Sequence, residues 1–146
     1  SMNKVEIVNG PNLNFLGIRE IEKYGSASYK DLVNTLEEKA RELNLELKFF
    51  QSNIEGEIVD ALQNSFQTSE WIVINPGAYT HTSIAIRDCL AYLSTKLKII
   101  EVHLTDINNR ENFRNINLIS EFCEKSIIGK GIDGYIEALE YINEQH

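Results

Sequence analysis

The stretch Trp71-Ile72-Val73-Ile74-Asn75-Pro76-Gly77 is a short, continuous apolar run that ends in polar and turn-forming residues. A run of this kind is typical of a strand buried on both faces of a parallel sheet. Two other apolar runs end in a similar way: residues 4–8 lead into Asn9-Gly10-Pro11-Asn12, and residues 97–100 lead into Glu101-Val102-His103. Open α/β sheets bind ligands beyond the carboxyl ends of their strands, so we expect the polar segments at the ends of these three runs to share one ligand site.

Strand and helix periods alternate on both sides of this stretch. Strands are predicted at residues 4–9, 46–52, 71–75, 98–103 and 126–128, and helices at residues 28–43, with Ser28 as N-cap, and at residues 82–94. Two further helices are predicted from their apolar faces, one formed by Ile54, Ile58, Ala61, Leu62 and Ser65, and one by Tyr135, Ala138, Leu139 and Ile142. The alternation predicts an α/β fold, a flavodoxin-like doubly wound sheet of about five parallel strands with helices on both faces.

The composition is that of a globular protein. The 146 residues, 42% of them apolar and 25% charged, predict a single domain over residues 1–146, with Ser1 before Met2 expected to be an artificial addition. We find no apolar run of about 20 residues and no secretion signal, so we expect no membrane association and a cytoplasmic location. The net charge of −8 argues against nucleic-acid binding. Cys89 and Cys123 have no metal-binding spacing, and both are expected to be reduced core residues.

One connection, at residues 10–27, is long for a compact domain and contains Arg19, Tyr24 and two glycines. Connections of this length are usually functional or disordered. A surface excursion without function is the alternative, but the pairing of one arginine with one tyrosine favours a lid over the active site.

Three segments resemble the type II 3-dehydroquinate dehydratases of the shikimate pathway. The first is Asn9-Gly10-Pro11-Asn12-Leu13-Asn14-Phe15-Leu16-Gly17, followed by Arg19 and Tyr24. The second runs from Asn75-Pro76-Gly77 through His81-Thr82-Ser83 to Arg87-Asp88, and the third from Glu101-Val102-His103-Leu104 to Arg114. They stand in the family's order and cover nearly the whole chain. The segment at residues 115–125 matches poorly, and Thr105 stands where the family more often has serine.

The resemblance implies an enzyme of aromatic amino acid biosynthesis, a hydro-lyase that removes water from 3-dehydroquinate through an enolate, by anti elimination and without metal or organic cofactor. It implies Tyr24 as the base, Arg19 as the cation that activates it, and Asn12 as the group that holds the enolate oxygen. A tyrosine ionises near pH 10 in water. A guanidinium about 4 Å away is worth roughly 4 kcal/mol at an effective dielectric of about 20, enough to ionise it near neutrality. We therefore expect Arg19 and Tyr24 to act as one unit.

His103 is implied as the general acid, with Glu101 two residues earlier on the same face of the strand to orient it. The implied substrate contacts are Asn75, His81, Asp88, Leu104, Thr105 and Arg114. The family's counterpart of Asp88 reaches the site of a neighbouring subunit, and family members commonly form dodecamers built from trimers. Taken one by one, each of these residues also suits an ordinary role in a turn, in the core or on the surface.

Other functions on the same fold remain as alternatives. A flavin- or phosphate-binding domain needs consecutive donors after the first strand, and Gly10-Pro11 is a poor loop for this purpose. A phosphorylation receiver needs carboxylates at the ends of the first and third strands, which end in asparagine here. A Schiff-base dehydratase needs a lysine at the ligand-binding edge of the sheet, and no predicted strand ends in one.

Overall fold

The computed structural model describes residues 3–18, 22, 26–107 and 111–146. A parallel five-stranded sheet runs through it, with strands β1 (Asn3–Asn9), β2 (Leu45–Gln51), β3 (Trp71–Asn75), β4 (Lys98–His103) and β5 (Lys125–Ile128). The helices are α1 (Tyr29–Leu43), α2 (Glu55–Thr68), α3 (Ile84–Leu93) and α4 (Asp133–Glu144). The strand order β2-β1-β3-β4-β5 is the flavodoxin-like order and confirms the predicted fold class.

Helices cover both faces of the sheet: α1 and α4 pack together on one face, and α2 and α3 on the other. The central strand β3 is buried along its whole length because it has a strand on each side and helices on each face. This double burial explains why its sequence is continuously apolar instead of alternating. The four core residues predicted for α4 are all fully buried.

The helix starts show how local sequence sets the boundaries. α1 begins at Ser28, whose side chain accepts a hydrogen bond from the Asp31 backbone N–H while the Asp31 carboxylate accepts one from the Ser28 N–H. This reciprocal capping box stabilises the first turn. The predicted third helix is two residues shorter at its start, because Ser83 caps α3 and residues 77–80 form a separate 3₁₀ turn.

One predicted core position is wrong. Ile54 is 58% exposed and lies before the first residue of α2, so it does not belong to the buried face formed by Ile58, Ala61, Leu62 and Ser65. Its backbone N–H donates to Ser52 Oγ. That contact belongs to the turn between β2 and α2, where a helical period no longer applies.

No helix in the described part of the chain is long and apolar enough to cross a membrane.

Candidate active site

A cleft of about 160 Å³ lies at the carboxyl ends of β1, β3 and β4. This is the position where the strand order reverses, between β1 and β3, and where open α/β sheets bind ligands. The polar segments at the ends of the three apolar runs therefore do lie at one edge of the sheet. The residues of the cleft wall are Pro11, Asn12, Leu13, Phe15, Leu16, Asn75, Gly77, Ala78, His81, His103, Leu104, Thr105, Ile107 and Arg114.

His103 and Glu101, both from the end of β4, form a hydrogen-bonded pair at the cleft. His103 is 4% exposed and lines the cleft, whereas Glu101 is fully buried behind it. The two side chains lie on the same face of the strand, and His103 Nε2 is 2.7 Å from Glu101 Oε2. Because a carboxylate only accepts hydrogen bonds, Nε2 carries a hydrogen and donates a hydrogen bond to Glu101.

Two more donors hold the Glu101 carboxylate. Asn117 Nδ2 donates to Oε2 over 3.0 Å, and Ser126 Oγ donates to Oε1. Burial by itself raises the pKa of Glu101, but the hydrogen bonds from His103, Ser126 and Asn117 and the attraction of His103 outweigh it and hold the pKa below its usual range. The carboxylate is therefore a buried anion that holds the imidazole in front of it in one orientation.

Asn75 and Asn12 also contribute amide groups to the cleft wall. Asn75 ends β3, is 4% exposed, and accepts a hydrogen bond from the Gly77 backbone N–H at Oδ1, 3.1 Å away. Asn12 follows Pro11 with a left-handed φ of 71°, a conformation that asparagine tolerates better than most residues. Its backbone N–H donates to Asn53 Oδ1 over 2.9 Å, which anchors the turn and leaves the side chain in the cleft wall.

His81 and Arg114 bring ring nitrogens and a guanidinium to the same cleft. His81 Nδ1 lies 2.7 Å from the Ile116 carbonyl oxygen, so this nitrogen carries the proton and donates. Arg114 Nε is 2.7 Å from Glu111 Oε2, and its guanidinium stacks over the Phe113 ring. The Arg114 side chain is 21% exposed and forms part of the cleft wall.

Leu104 and Thr105 complete the cleft wall directly after β4. The Leu104 carbonyl accepts a hydrogen bond from the Gly131 backbone N–H over 2.9 Å, and the His103 carbonyl accepts one from Gly129. These contacts tie the end of β4 to the loop after β5. They position the Thr105 hydroxyl and the nearby backbone at the cleft.

Of the predicted site residues that the structure describes, Glu101 and Asp88 are not in the cleft wall. Glu101 lies behind it, in contact with His103. Asp88 is exposed on α3, where it pairs with Arg87 at 3.0 Å. Arg19 and Tyr24 lie outside the described residues, as do parts of the predicted lid at residues 10–27.

Asn117 and Ser126 were not among the site residues predicted from the sequence. Ser126 is the register partner of Glu101 on the neighbouring strand β5, so pairing the strand ends by register would have found it. Asn117 lies in the poorly matching segment at residues 115–125, and no local pattern marks it. Tyr135 was identified as a core residue only, although its hydroxyl, buried with the ring, requires a partner.

The loop after β1 has little capacity to hold a phosphate. The Gly10 backbone N–H donates to the Asn75 carbonyl over 2.8 Å, and Pro11 has no N–H to offer. Among the described residues, no group of three or more His, Cys, Asp or Glu side chains could hold a metal ion.

Comparisons with known proteins agree with this geometry. The family model described as dehydroquinase class II matches residues 3–143. A 3-dehydroquinate dehydratase of Caldicellulosiruptor bescii is 48% identical over 144 residues, which cover 98% of each chain. The crystal structure of a type II dehydroquinase from Butyrivibrio crossotus matches with a TM-score of 0.94 and 47% identity over 97% of this chain and 98% of that one. A type II dehydroquinase from Propionibacterium acnes matches with a TM-score of 0.92 and 35% identity over 99% of both chains. With a family match over nearly its whole length, and relatives of this identity, the chain belongs to the class II dehydroquinases.

Proposed function

We propose that this protein is a 3-dehydroquinate dehydratase that removes water from 3-dehydroquinate to give 3-dehydroshikimate, by anti elimination through an enolate. The observation that carries the proposal is the His103–Glu101 pair in a cleft that also holds Asn12, Asn75, His81 and Arg114, in a chain of the class II dehydroquinase family. The reaction needs a base, a group that stabilises the enolate and an acid for the departing hydroxyl.

His103 acts as the general acid in this proposal. Its Nε2–H is engaged by Glu101, so the proton given to the leaving hydroxyl comes from Nδ1. The proposed step requires a ring that carries hydrogens on both nitrogens, and the Glu101 carboxylate accepts a hydrogen bond from Nε2 before and after the transfer. Glu101 therefore positions His103 without touching the substrate.

Tyr24 is the proposed base and Arg19 the cation that activates it. Tyr24 removes the proton next to the ketone, the electrons move into the enolate, and Asn12 donates a hydrogen bond to the enolate oxygen directly or through a water molecule. The enolate then expels the hydroxyl, which leaves as water with the proton from His103. Because these steps need only proton transfers, hydrogen bonds and cleavage of the C–O bond with loss of water, we propose that the reaction uses no cofactor.

Other polar groups of the cleft wall are proposed to bind the substrate. The backbone at Leu104 and the Thr105 hydroxyl would hold its carboxylate, and Asn75, His81 and Arg114 its hydroxyl groups. The exposed position of Asp88 on α3 suits a contact with the cleft of a neighbouring subunit. We accordingly propose a homo-oligomer, a dodecamer built from trimers, that works in the cytoplasm in the shikimate pathway of aromatic amino acid biosynthesis.

The test is the rise in ultraviolet absorbance as 3-dehydroquinate becomes a conjugated enone, measured in metal-free buffer. We expect turnover by the parent protein, and losses of about 10²–10⁴ in kcat for Tyr24→Phe and His103→Gln, the usual contribution of a positioned acid or base. Arg19→Ala should resemble Tyr24→Phe if the two act as one unit.

Tyr92→Phe and Arg41→Ala are matched controls, because both side chains are exposed on helices and neither lines the cleft. They should retain parental turnover. A folded parent without turnover would contradict the proposed reaction, and full activity of Tyr24→Phe would contradict the proposed base.

A further inference from the structure

A chain of hydrogen bonds runs from the cleft wall into the core. The Gly77 backbone N–H donates to Asn75 Oδ1 over 3.1 Å, and Asn75 Nδ2 donates to the Tyr135 hydroxyl over 3.1 Å. The Tyr135 hydroxyl donates to Asn9 Oδ1 over 2.5 Å, and Asn9 Nδ2 donates to the Tyr29 hydroxyl over 3.3 Å. Asn9 and Asn75 are register partners at the ends of β1 and β3, so the chain links both strands to α4 and α1.

The first hydrogen bond, from Gly77 to Asn75, determines which groups donate and which accept along the rest of the series. A backbone N–H can only donate, so the Asn75 atom that faces Gly77 must be the acceptor Oδ1. The amide nitrogen Nδ2 therefore faces Tyr135 and has two hydrogens, of which Tyr135 accepts one. The second hydrogen can donate to an oxygen atom of a ligand in the cleft that Asn75 lines.

Tyr135 determines whether that orientation is stable. Its ring is fully buried on the apolar face of α4, next to Ala138 and Leu139, where phenylalanine would fill the same space. The hydroxyl accepts from Asn75 only while its own hydrogen is directed at Asn9. Burial raises the pKa of the Tyr135 phenol, more than the hydrogen bond from Asn75 lowers it, so the hydroxyl keeps its hydrogen at physiological pH.

We propose that Tyr135 is a positioning residue for substrate binding: its hydroxyl fixes the Asn75 carboxamide so that an amide hydrogen is presented to a substrate oxygen. The inference rests on the proposed function, since it requires Asn75 to contact the substrate. Without the hydroxyl, the Asn75 amide loses the partner that holds Nδ2 on the core side. The donor then has no defined direction in the cleft.

Tyr135→Phe tests this role by the separation of KM from kcat. A lost binding contact raises KM with little change in kcat, whereas a general structural defect lowers the active fraction and leaves KM unchanged. We expect KM to rise about tenfold, the loss of roughly one hydrogen bond, with kcat within about twofold of the parent. The matched control is Tyr29→Phe, which removes only the terminal acceptor and should leave KM unchanged.

A double-mutant cycle with Asn75→Ala shows whether Tyr135 acts through Asn75. We expect Asn75→Ala alone to raise KM, and Tyr135→Phe to raise it no further in that background, because coupled residues are not additive. If Tyr135→Phe does not fold, Asn9→Ala replaces it, since this variant removes the acceptor that directs the Tyr135 hydroxyl, and a smaller rise in KM is expected.

Each failure has its own pattern. An unchanged KM for folded Tyr135→Phe or Asn9→Ala, with KM raised by Asn75→Ala, overturns the positioning role and leaves the proposed function in place. An equal rise in KM caused by Tyr135→Phe in the parent and in the Asn75→Ala background also overturns the positioning role. An unchanged KM for Asn75→Ala overturns both the positioning role and the assignment of Asn75 as a substrate contact, while turnover by the parent still supports the reaction.

Discussion

Glu6 and Glu101 are both buried in the sheet, at 2% and 0% exposure, yet the pKa values of their carboxyls shift in opposite directions. Glu101 has three hydrogen-bond donors, and its pKa is lowered. For Glu6, Oε1 has no hydrogen-bond partner among the described residues, and burial raises the pKa despite the attraction of Lys48. The number of donors at each carboxyl, more than its depth, decides whether the charged form is favoured.

Replacement of Glu6 by glutamine should therefore stabilise the protein at neutral pH. A carboxyl whose pKa is raised in the folded state contributes stability that is complete below the unfolded pKa, about 4.3, and is lost as pH rises through the folded pKa. Glutamine does not ionise, so Glu6→Gln should have a free energy of unfolding about 1–2 kcal/mol above that of the parent at pH 8. The difference should shrink towards pH 4.3.

Urea unfolding at a series of pH values measures this difference. Glu6 lines a surface pocket together with the titratable residues Lys48, Glu57 and Asp60, and these three are unchanged in the variant. Glu46→Gln on the exposed side of β2 is the control and should show no such trend. A difference in the free energy of unfolding between Glu6→Gln and the parent that does not vary with pH would contradict the raised pKa of Glu6.

At the scale of elements, the loops after β1 and β3 form one packed unit beneath the cleft. The Gly10 N–H donates to the Asn75 carbonyl, and a Cβ at Gly10 would lie 2.4 Å from the Pro76 carbonyl oxygen. Gly77 has a φ of +61°, and a Cβ there would lie 3.1 Å from the Pro11 carbonyl oxygen. The two loops can approach each other this closely only because both positions are glycine.

Gly10→Ala should consequently damage both stability and activity. The added methyl group must push the Pro76 backbone away, at a cost of about 1–3 kcal/mol of unfolding free energy. A shift of the cleft wall by about 1 Å can lower kcat/KM by up to about 10². Both quantities are measured by urea unfolding and by the absorbance assay.

Gly56→Ala is the control for this substitution. Gly56 lies in α2, and a Cβ there would meet nothing within 4 Å. We expect this variant to be about 0.5–1 kcal/mol more stable than the parent, because alanine is the better helix former, with activity unchanged. If Gly10→Ala behaved like Gly56→Ala, the two loops would not depend on this close approach.

The elements that could be predicted most accurately are those with the clearest pattern of apolar and polar residues. The bounds of β3 and β4 were predicted residue for residue, because continuous apolar runs end there at polar residues. Ile54 was assigned to a helix face because its spacing from Ile58 fits a helical period. The turn contact with Ser52 that places it before the helix is not visible in that period.

The site was predictable where its residues follow a strand. Asn75 and His103 end β3 and β4, so the parallel sheet brings them to one edge. Asn117 and Ser126 meet Glu101 through the path of a loop and through strand register, which depend on the whole packing. No neighbouring residue in the sequence indicates either contact.

At the scale of the whole molecule, Asp88 is a predicted site residue that lies on the surface and does not line the cleft of its own chain. Its side chain is 65% exposed on α3 and pairs with Arg87, which also pairs with Glu121 and stacks over Phe122. A carboxylate presented on an outer helix can act in catalysis only if another subunit brings its cleft to that helix. If Asp88 contributes to the reaction, activity therefore requires that the subunits assemble.

Subunit mixing should restore activity between two inactive proteins. We expect Asp88→Ala and His103→Ala to be weakly active alone and to regain turnover when co-refolded. In a mixed oligomer, a cleft from an Asp88→Ala subunit can receive Asp88 from its His103→Ala neighbour, and random mixing completes about a quarter of the clefts. Mixing His103→Ala with Asn12→Ala is the control and should restore nothing, because both defects lie in the same cleft. Mixed assemblies of Asp88→Ala and His103→Ala that stay inactive would show that Asp88 does not act across a subunit boundary.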